Sequence, residues 1–192
     1  MFLDVGAGNG RLAYFLRRAM EDMTNQGGGS QKLPKIIASN DGSWRAPMYD
    51  NKHIEVEKLS AVESLDKYGP KKDTRLIVLC SWMPPGQDWT ADFHRPIYDE
   101  DNDRVGGLAE EYILIGEADD GTCGHHWYAW GNPNVLVSNE DDEESKDEEV
   151  PPPELPYASD GYERVDLNNL MRLQFSRFDC KCYFLEGQHY FK

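Results

Sequence analysis

The first sixteen residues, Met1 to Leu16, constrain this chain more than any other stretch. A short apolar run, Phe2-Leu3-Asp4-Val5, meets glycines at 6, 8 and 10, and then Leu12, Phe15, Leu16 and Ala19 recur with arginines between them. The apolar run followed by residues at helical spacing predicts strand, tight turn and amphipathic helix. Glycine suits such a turn because the backbone must take conformations that a β-carbon forbids and must lie close against a ligand. The unpaired amides of the helix start then point at that ligand. An open parallel sheet built on this unit binds its ligand outside the carboxyl ends of the strands.

The spacing narrows the ligand. A dinucleotide turn needs G-x-G-x-x-G, whose third glycine would fall at residue 11, and that residue is Arg11. The pattern present is acidic-x-G-x-G-x-G, at Asp4, Gly6, Gly8 and Gly10. It resembles motif I of the class I, Rossmann-like methyltransferases that use S-adenosyl-L-methionine. The resemblance implies a Rossmann-like three-layer α/β fold, a mostly parallel sheet with a C-terminal antiparallel strand or hairpin. In that family the glycine turn passes under the amino-acid end of the cofactor, and the acidic residue belongs to the network that holds it. A helix N-terminus suits a carboxylate, and a nearby carboxylate suits an ammonium or sulfonium. A plain glycine turn between a strand and a helix is the other reading.

At 192 residues the chain has room for one α/β domain with a real core. Its formal charge is −15, but Glu140 to Glu149 holds eight acids and one lysine, leaving 27 acids against 19 bases, or −8, elsewhere. Such a surface disfavours a broad nucleic-acid face, although Arg11, Arg17 and Arg18 form a local basic group. Small molecules or basic proteins suit it better. Cys80, Cys123, Cys180 and Cys182 do not make a disulfide framework in a chain of this size. With no stretch near the roughly 20 apolar residues of a span, and no basic leader, the expectation is an intracellular protein, cytoplasmic with the nucleus also compatible. The first strand begins at once, whereas the family usually carries helical sequence ahead of it. A partner chain supplying those elements is therefore a further expectation.

Asn25 to Leu33 is Gly-rich and predicts a surface loop. Lys35-Ile36-Ile37-Ala38-Ser39 predicts the second strand, closed by Asn40-Asp41-Gly42. The resemblance gives Asp41 the ribose hydroxyls, while an Asp-Gly turn needs no ligand. Trp44 has two readings, stacking on the adenine or packing at the core edge. His53 to Ser60 alternates as a third strand, and Ser60-Ala61 stands where family members place a polar pair on the adenine; Ser60 could equally be a helix cap. Arg75 to Ser81 is the most hydrophobic run, so it predicts a central strand covered on both faces. It ends in Ser81-Trp82-Met83-Pro84-Pro85-Gly86, at the position of motif IV. Amino-methylating members have a polar residue before the two prolines and an aromatic after them; Met83 and Gly86 depart from both.

Ser81 is assigned to the cofactor rim; Trp82, Met83, Trp89 and Phe93 have two readings, an apolar wall for the acceptor or simple lid packing. Thr90 to Gly107 reads as a mobile loop, and Glu110 to Glu117 as a fifth buried strand. Cys123-Gly124-His125-His126 lacks the ligand spacing of a structural zinc site, so no metal is expected. Residues from about 138 to 157, acidic and then Pro-rich, predict a disordered insertion. A helix or turn near Leu167 to Leu173 and a terminal antiparallel hairpin close the single domain.

The resemblance therefore implies methyl transfer from S-adenosyl-L-methionine to a small-molecule or protein acceptor. A catalytically inactive cofactor-binding partner subunit of a methyltransferase complex is the alternative. A sulfonium methyl is already activated, so holding donor and nucleophile in line supplies most of the effect and a base is optional. If one is used, Glu117, Asp88, His94, His125 and His126 are the candidates.

Overall fold

The structure, a computed structural model, describes residues 1–26, 32–43, 54–69, 75–98, 100–102, 104–116, 123–132, 154–167 and 188–191. Strand β1 (Phe2–Val5) leads through the glycine turn into helix α1 (Arg11–Gln26) and on to β2 (Ile36–Ser39). Next come β3 (Val56–Glu57), α2 (Ala61–Tyr68) and β4 (Ile77–Ser81). A short helix α3 (Thr90–Phe93) and the strands β5 (Pro96–Tyr98) and β6 (Arg104–Gly107) precede β7 (Glu111–Ile115). The described chain ends with α4 (Pro156–Ser159), β8 (Arg164–Asp166) and β9 (Gln188–Phe191).

The main sheet has the order β3-β2-β1-β4-β7-β9-β8. The first five strands are parallel, whereas β9 runs antiparallel to both β7 and β8. This is an α/β fold with a mostly parallel sheet, compatible with a Rossmann-like arrangement. The strand order reverses between β1 and β4, so the topological switch point lies at the carboxyl ends of these two strands, where the connections part to opposite sides.

Alternation along β1 sorts the two faces. Leu3 and Val5 join the larger core with Val78 and Cys80 of β4, Tyr112 and Leu114 of β7, and Ala61 and Leu65 of α2. Phe2 joins Ala13 of α1 with Ile36 and Ala38 of β2 on the other side. Helices α1 and α2 therefore sit on opposite faces, as a sheet whose central strands are apolar throughout requires. Burying one large aliphatic side chain such as Leu3 or Leu65 contributes about 1.5–3 kcal/mol.

Three expectations need correction. Thr90 to Gly107 is not a loop: α3 and the antiparallel β5–β6 pair occupy it, and Phe93 is fully buried. Polar composition hid this, because one buried aromatic and two buried polar side chains, Thr90 and His94, anchor the whole excursion. The expected third strand shrinks to the two residues of β3, since the Leu59 amide turns back to donate to the Glu57 carbonyl at 3.0 Å. Finally, the insertion expected to reach residue 157 stops short of it. Pro156 opens α4, and Tyr157 is buried against the main core. Residues 133–153, the centre of the Gly-rich loop (27–31) and the helix or turn expected near Leu167 to Leu173, beyond Leu167, lie outside the described residues.

Candidate functional site

All three glycines of the turn have positive φ, +65° at Gly6, +57° at Gly8 and +77° at Gly10, a region costly for any residue with a β-carbon. Their surroundings differ. A β-carbon on Gly10 would stand 2.6 Å from Ile54 Cγ2 and 2.8 Å from Val56 Cγ2, so this glycine lets α1 close down on the β3 edge. A β-carbon on Gly6 would stand 2.9 Å from Trp89 Cζ3. A β-carbon on Gly8 would meet nothing within 4 Å among the described residues. The middle of the turn is thus the part left open to a ligand, and its flanks are fixed by packing. The Gly10 amide donates to the Ala7 carbonyl at 2.8 Å, the Ala7 amide to Ser39, and the Arg11 amide to Asn9 Oδ1 at 3.3 Å.

Asp4 lies beneath this turn, on the α1 face of β1, and is fully buried. Neither carboxylate oxygen has a hydrogen-bond partner of normal geometry among the described residues. Burial pushes its pKa up to about 7; the backbone amide of Ala13, in the first turn of α1, offsets part of that rise. A buried carboxyl with no well-formed hydrogen bond among the described residues is rare enough to need an explanation, and a polar or cationic ligand group is one.

Asn40, which the sequence reading passed over, ties β2 to the turn. Its side-chain amide donates to the Gly8 carbonyl at 3.3 Å, its own amide donates to Glu57 of β3, and its Oδ1 accepts from Gly42 at 2.9 Å. The signal was present in Asn40-Asp41-Gly42, where two successive side chains can each cap a turn. Asp41 itself is exposed at the carboxyl end of β2, and its Oδ1 accepts from the Ser43 amide at 2.8 Å. That bond, together with the Ser43 side chain, holds its pKa below the usual carboxylate range. The Asp41 carboxylate is exposed and so remains accessible to a hydroxyl.

Ser60 is a helix cap. Its hydroxyl accepts from the Glu63 amide at 3.2 Å while Glu63 Oε2 accepts from the Ser60 amide at 2.8 Å, the reciprocal capping box at the start of α2. The cofactor role assigned to Ser60 must compete with this use. Ser60→Ala is expected to cost about 1 kcal/mol of stability, read as a lower denaturant midpoint at unchanged slope. A loss of ligand affinity without that shift would return Ser60 to the site.

At the carboxyl end of β4, Ser81 is half-buried and the next residue, Trp82, has φ +60° although it is no glycine. Its amide donates to the Ile115 carbonyl at 2.7 Å, which pins the strained residue to the end of β7. Trp82 is 37% exposed and remains available as a wall. Met83 does not. It is buried in the main core, where its sulfur accepts from the Trp89 amide at 3.4 Å, because the two-proline turn folds it inward. Trp89 is half-buried and its ring edge meets Gly6, so it belongs to the glycine turn as much as to any acceptor wall.

The acid–base candidates separate in space. Asp88 Oδ1 accepts from both the amide and the hydroxyl of Thr90, at 3.0 and 2.5 Å, and so serves as a turn-former at the α3 start. His94 is buried, with Nε2 2.8 Å from the Tyr112 hydroxyl, Nδ1 3.2 Å from Asp160 and its ring stacked on Tyr162. Tyr112 is the second residue of β7, so His94 is near the amino end of the sheet and away from the crevice rim. That is a correction to its candidacy as a base. His125 Nδ1 accepts from the amides of Trp127 and Tyr128, at 3.3 and 3.2 Å. His126 Nδ1 is buried with no hydrogen-bond partner among the described residues. Both belong to a loop that crosses the two-proline turn, where Gly124 donates to Met83 and accepts from Gly86. Glu117 and Trp44 lie outside the described residues.

Cys80 and Cys123 are both buried in the core. Burial pushes the Cys80 thiol up, and the nearby Asp4 adds to the effect, so it is no nucleophile. Among the described residues no group of three or more His, Cys, Asp or Glu side chains is placed to hold a metal ion, and no helix is long and apolar enough to cross a membrane. Compared with protein-family models, with curated proteins and with solved structures, the chain has no match.

Proposed function

We propose that this chain binds S-adenosyl-L-methionine in the crevice at the β1/β4 carboxyl ends and transfers its methyl group to a small-molecule or protein acceptor. One observation carries the reading. Three glycines of an acidic-x-G-x-G-x-G pattern all sit at positive φ outside the first strand, with open space over the middle one and, below, a buried carboxylate with no well-formed hydrogen bond among the described residues. The antiparallel β9 inserted beside the parallel strands agrees with the terminal strand that the resemblance leads one to expect.

The residues present suit the cofactor. The open backbone at Gly8 would take its amino-acid end, Asp4 would supply negative charge to a network around that end, and the exposed Asp41 carboxylate would accept from ribose hydroxyls. The bound cofactor supplies a methyl group already activated on a sulfonium. What the protein must add is orientation and exclusion of water, which in favourable geometry is worth about 7–11 kcal/mol of the barrier. Arg11 at the third position of a dinucleotide pattern argues against a nicotinamide.

Titration calorimetry with S-adenosylhomocysteine and with NAD tests the cofactor. Heat from the first alone is the expected result, and heat from NAD alone defeats the reading. A second reading, an inactive cofactor-binding subunit of a methyltransferase complex, gains from the described candidates: Met83 and His94 are buried, and Asp88 Oδ1 and His125 Nδ1 are engaged by backbone amides. Incorporation of labelled methyl into a lysate fraction by this chain alone is expected for an enzyme. Incorporation only after a partner chain is added identifies the subunit.

A further inference from the structure

We infer that Arg11 reads the carboxylate at the cofactor's amino-acid end, so that Arg11 and Asp4, at the two ends of the glycine turn, recognise the two charges of one zwitterion. The inference rests on the cofactor reading above and adds a specificity-determining residue to the same site. Three arginines stand on α1, and two of them are used. Arg17 Nη2 donates to the Ile36 carbonyl at 3.3 Å, and Arg18 lies 3.6 Å from the Glu21 carboxylate. The Arg11 guanidinium makes no hydrogen bond or ion pair among the described residues, and the residue is exposed. Arg11 opens α1, a helix of 16 residues with no acidic side chain in its first turn. A cation at that end opposes the helix dipole, which favours anions there. Arg11 directly follows Gly10, and helical β-carbons tilt toward the amino end of their helix, so its side chain sets out toward the glycine turn.

The backbone at the helix start agrees. The Arg11 amide donates to Asn9 Oδ1 at 3.3 Å and the Tyr14 amide to the Gly10 carbonyl at 2.9 Å, whereas the Leu12 amide has no acceptor among the described residues. An unused amide beside an unused guanidinium attracts an anion. Asp4 decides which kind. It is fully buried on the α1 face of β1 with no well-formed hydrogen bond among the described residues, and the Ala13 amide that partly stabilises it belongs to the first turn of α1. The carboxylate therefore lies under the same helix start. A phosphate, negative on every side, would meet the Asp4 charge as a repulsion. An α-amino acid group carries ammonium and carboxylate on one carbon, and so offers a cation to Asp4 and an anion to Arg11. The guanidinium fork matches a carboxylate through two parallel bonds, and such a charge-assisted pair exceeds an ordinary exposed ion pair.

The experiment uses the full chain, as wild type, Arg11→Gln and Arg11→Lys, titrated at one ionic strength with two probes. These are S-adenosylhomocysteine and its decarboxylated analogue, which keeps the ammonium and lacks the carboxylate. Wild type is expected to prefer the first. In Arg11→Gln the affinity for S-adenosylhomocysteine should fall about tenfold, while that for the decarboxylated analogue changes by less than about twofold. Arg11→Lys keeps the charge without the fork, so its selective loss should be about threefold. Urea unfolding of the free protein adds a second readout: taking a cation away from the helix start should leave the midpoint of Arg11→Gln unchanged or raised. A merely structural arginine would instead lower that midpoint and weaken both ligands alike. The Lys variant alone carries the test if the Gln variant fails to fold. Equal weakening of both ligands, or of neither, overturns the inference while wild-type binding keeps the cofactor reading intact. A wild-type protein that binds neither ligand removes both.

Discussion

Gly10→Ala is expected to destabilise the protein by about 3 kcal/mol, more than any other single methyl added to the turn. About 1–2 kcal/mol comes from forcing a residue with a β-carbon to φ +77°. The rest comes from overlap with Ile54 and Val56, because a methyl at 2.6 and 2.8 Å from their Cγ2 atoms must push the β3 edge away from α1, and overpacking of that kind costs about 1–3 kcal/mol. Gly8→Ala is the matched control. It pays the backbone cost, about 1–2 kcal/mol, but meets no atom within 4 Å. Its stability should fall by less than that of Gly10→Ala, while its affinity for S-adenosylhomocysteine falls by at least about tenfold, the equivalent of one displaced close contact. Urea denaturation and calorimetry on both variants read the contrast. Equal destabilisation with no change in affinity would mean that the open side of the turn faces no ligand.

Asp4→Asn is expected to make the protein more stable and less able to bind its cofactor. The folded-state pKa of Asp4 is raised from 3.8 to about 7. The native state therefore holds the proton more tightly than the unfolded state, and stability is lost as pH rises from about 4 through 7. The full cost above pH 7 is about 4 kcal/mol at about 1.4 kcal/mol per tenfold change in proton affinity. Asparagine carries no charge to ionise, so the variant's advantage should widen between pH 5 and pH 8 and level off above that. Affinity for S-adenosylhomocysteine should fall at the same time, the exchange of stability for function that a retained buried charge implies. Thermal melts across that pH range check the first half. A variant less stable than wild type at pH 8 would show that the carboxylate is satisfied in the folded protein, and the case for Asp4 as a ligand group would fail.

Much of the frame was legible in the sequence because the determining residues are local. Three alternate glycines can scarcely do anything but turn, and the Leu76 to Cys80 run is too apolar to be anything but covered on both faces. What was not legible depends on distant partners. Thr90 to Gly107 looks polar, but its anchors, Phe93 and His94, pack against Tyr112 from another strand. Met83 reads the same in a wall as in a core, and only the inward fold of the two-proline turn decides between them. Ser60 was caught between a cap and a ligand group, since one hydroxyl suits both, and the answer lay in how Glu63 reaches back. Trp89 could be placed in the crevice from its position after β4, but its contact with Gly6 joins residues 83 positions apart, a separation over which no local pattern reports.

The order of the sheet also bears on how the chain comes together. Among the described residues β8 pairs only with β9, and β9 is the strand that joins β8 to β7. A polypeptide emerging from the ribosome must therefore leave β8 waiting and the β7 edge uncovered until Gln188 to Phe191 arrive. Loop-closure entropy makes such late, long-range pairing slow, and an exposed strand edge invites pairing with other chains in the interval. Nascent chains stalled before residue 188 should accordingly be the aggregation-prone ones.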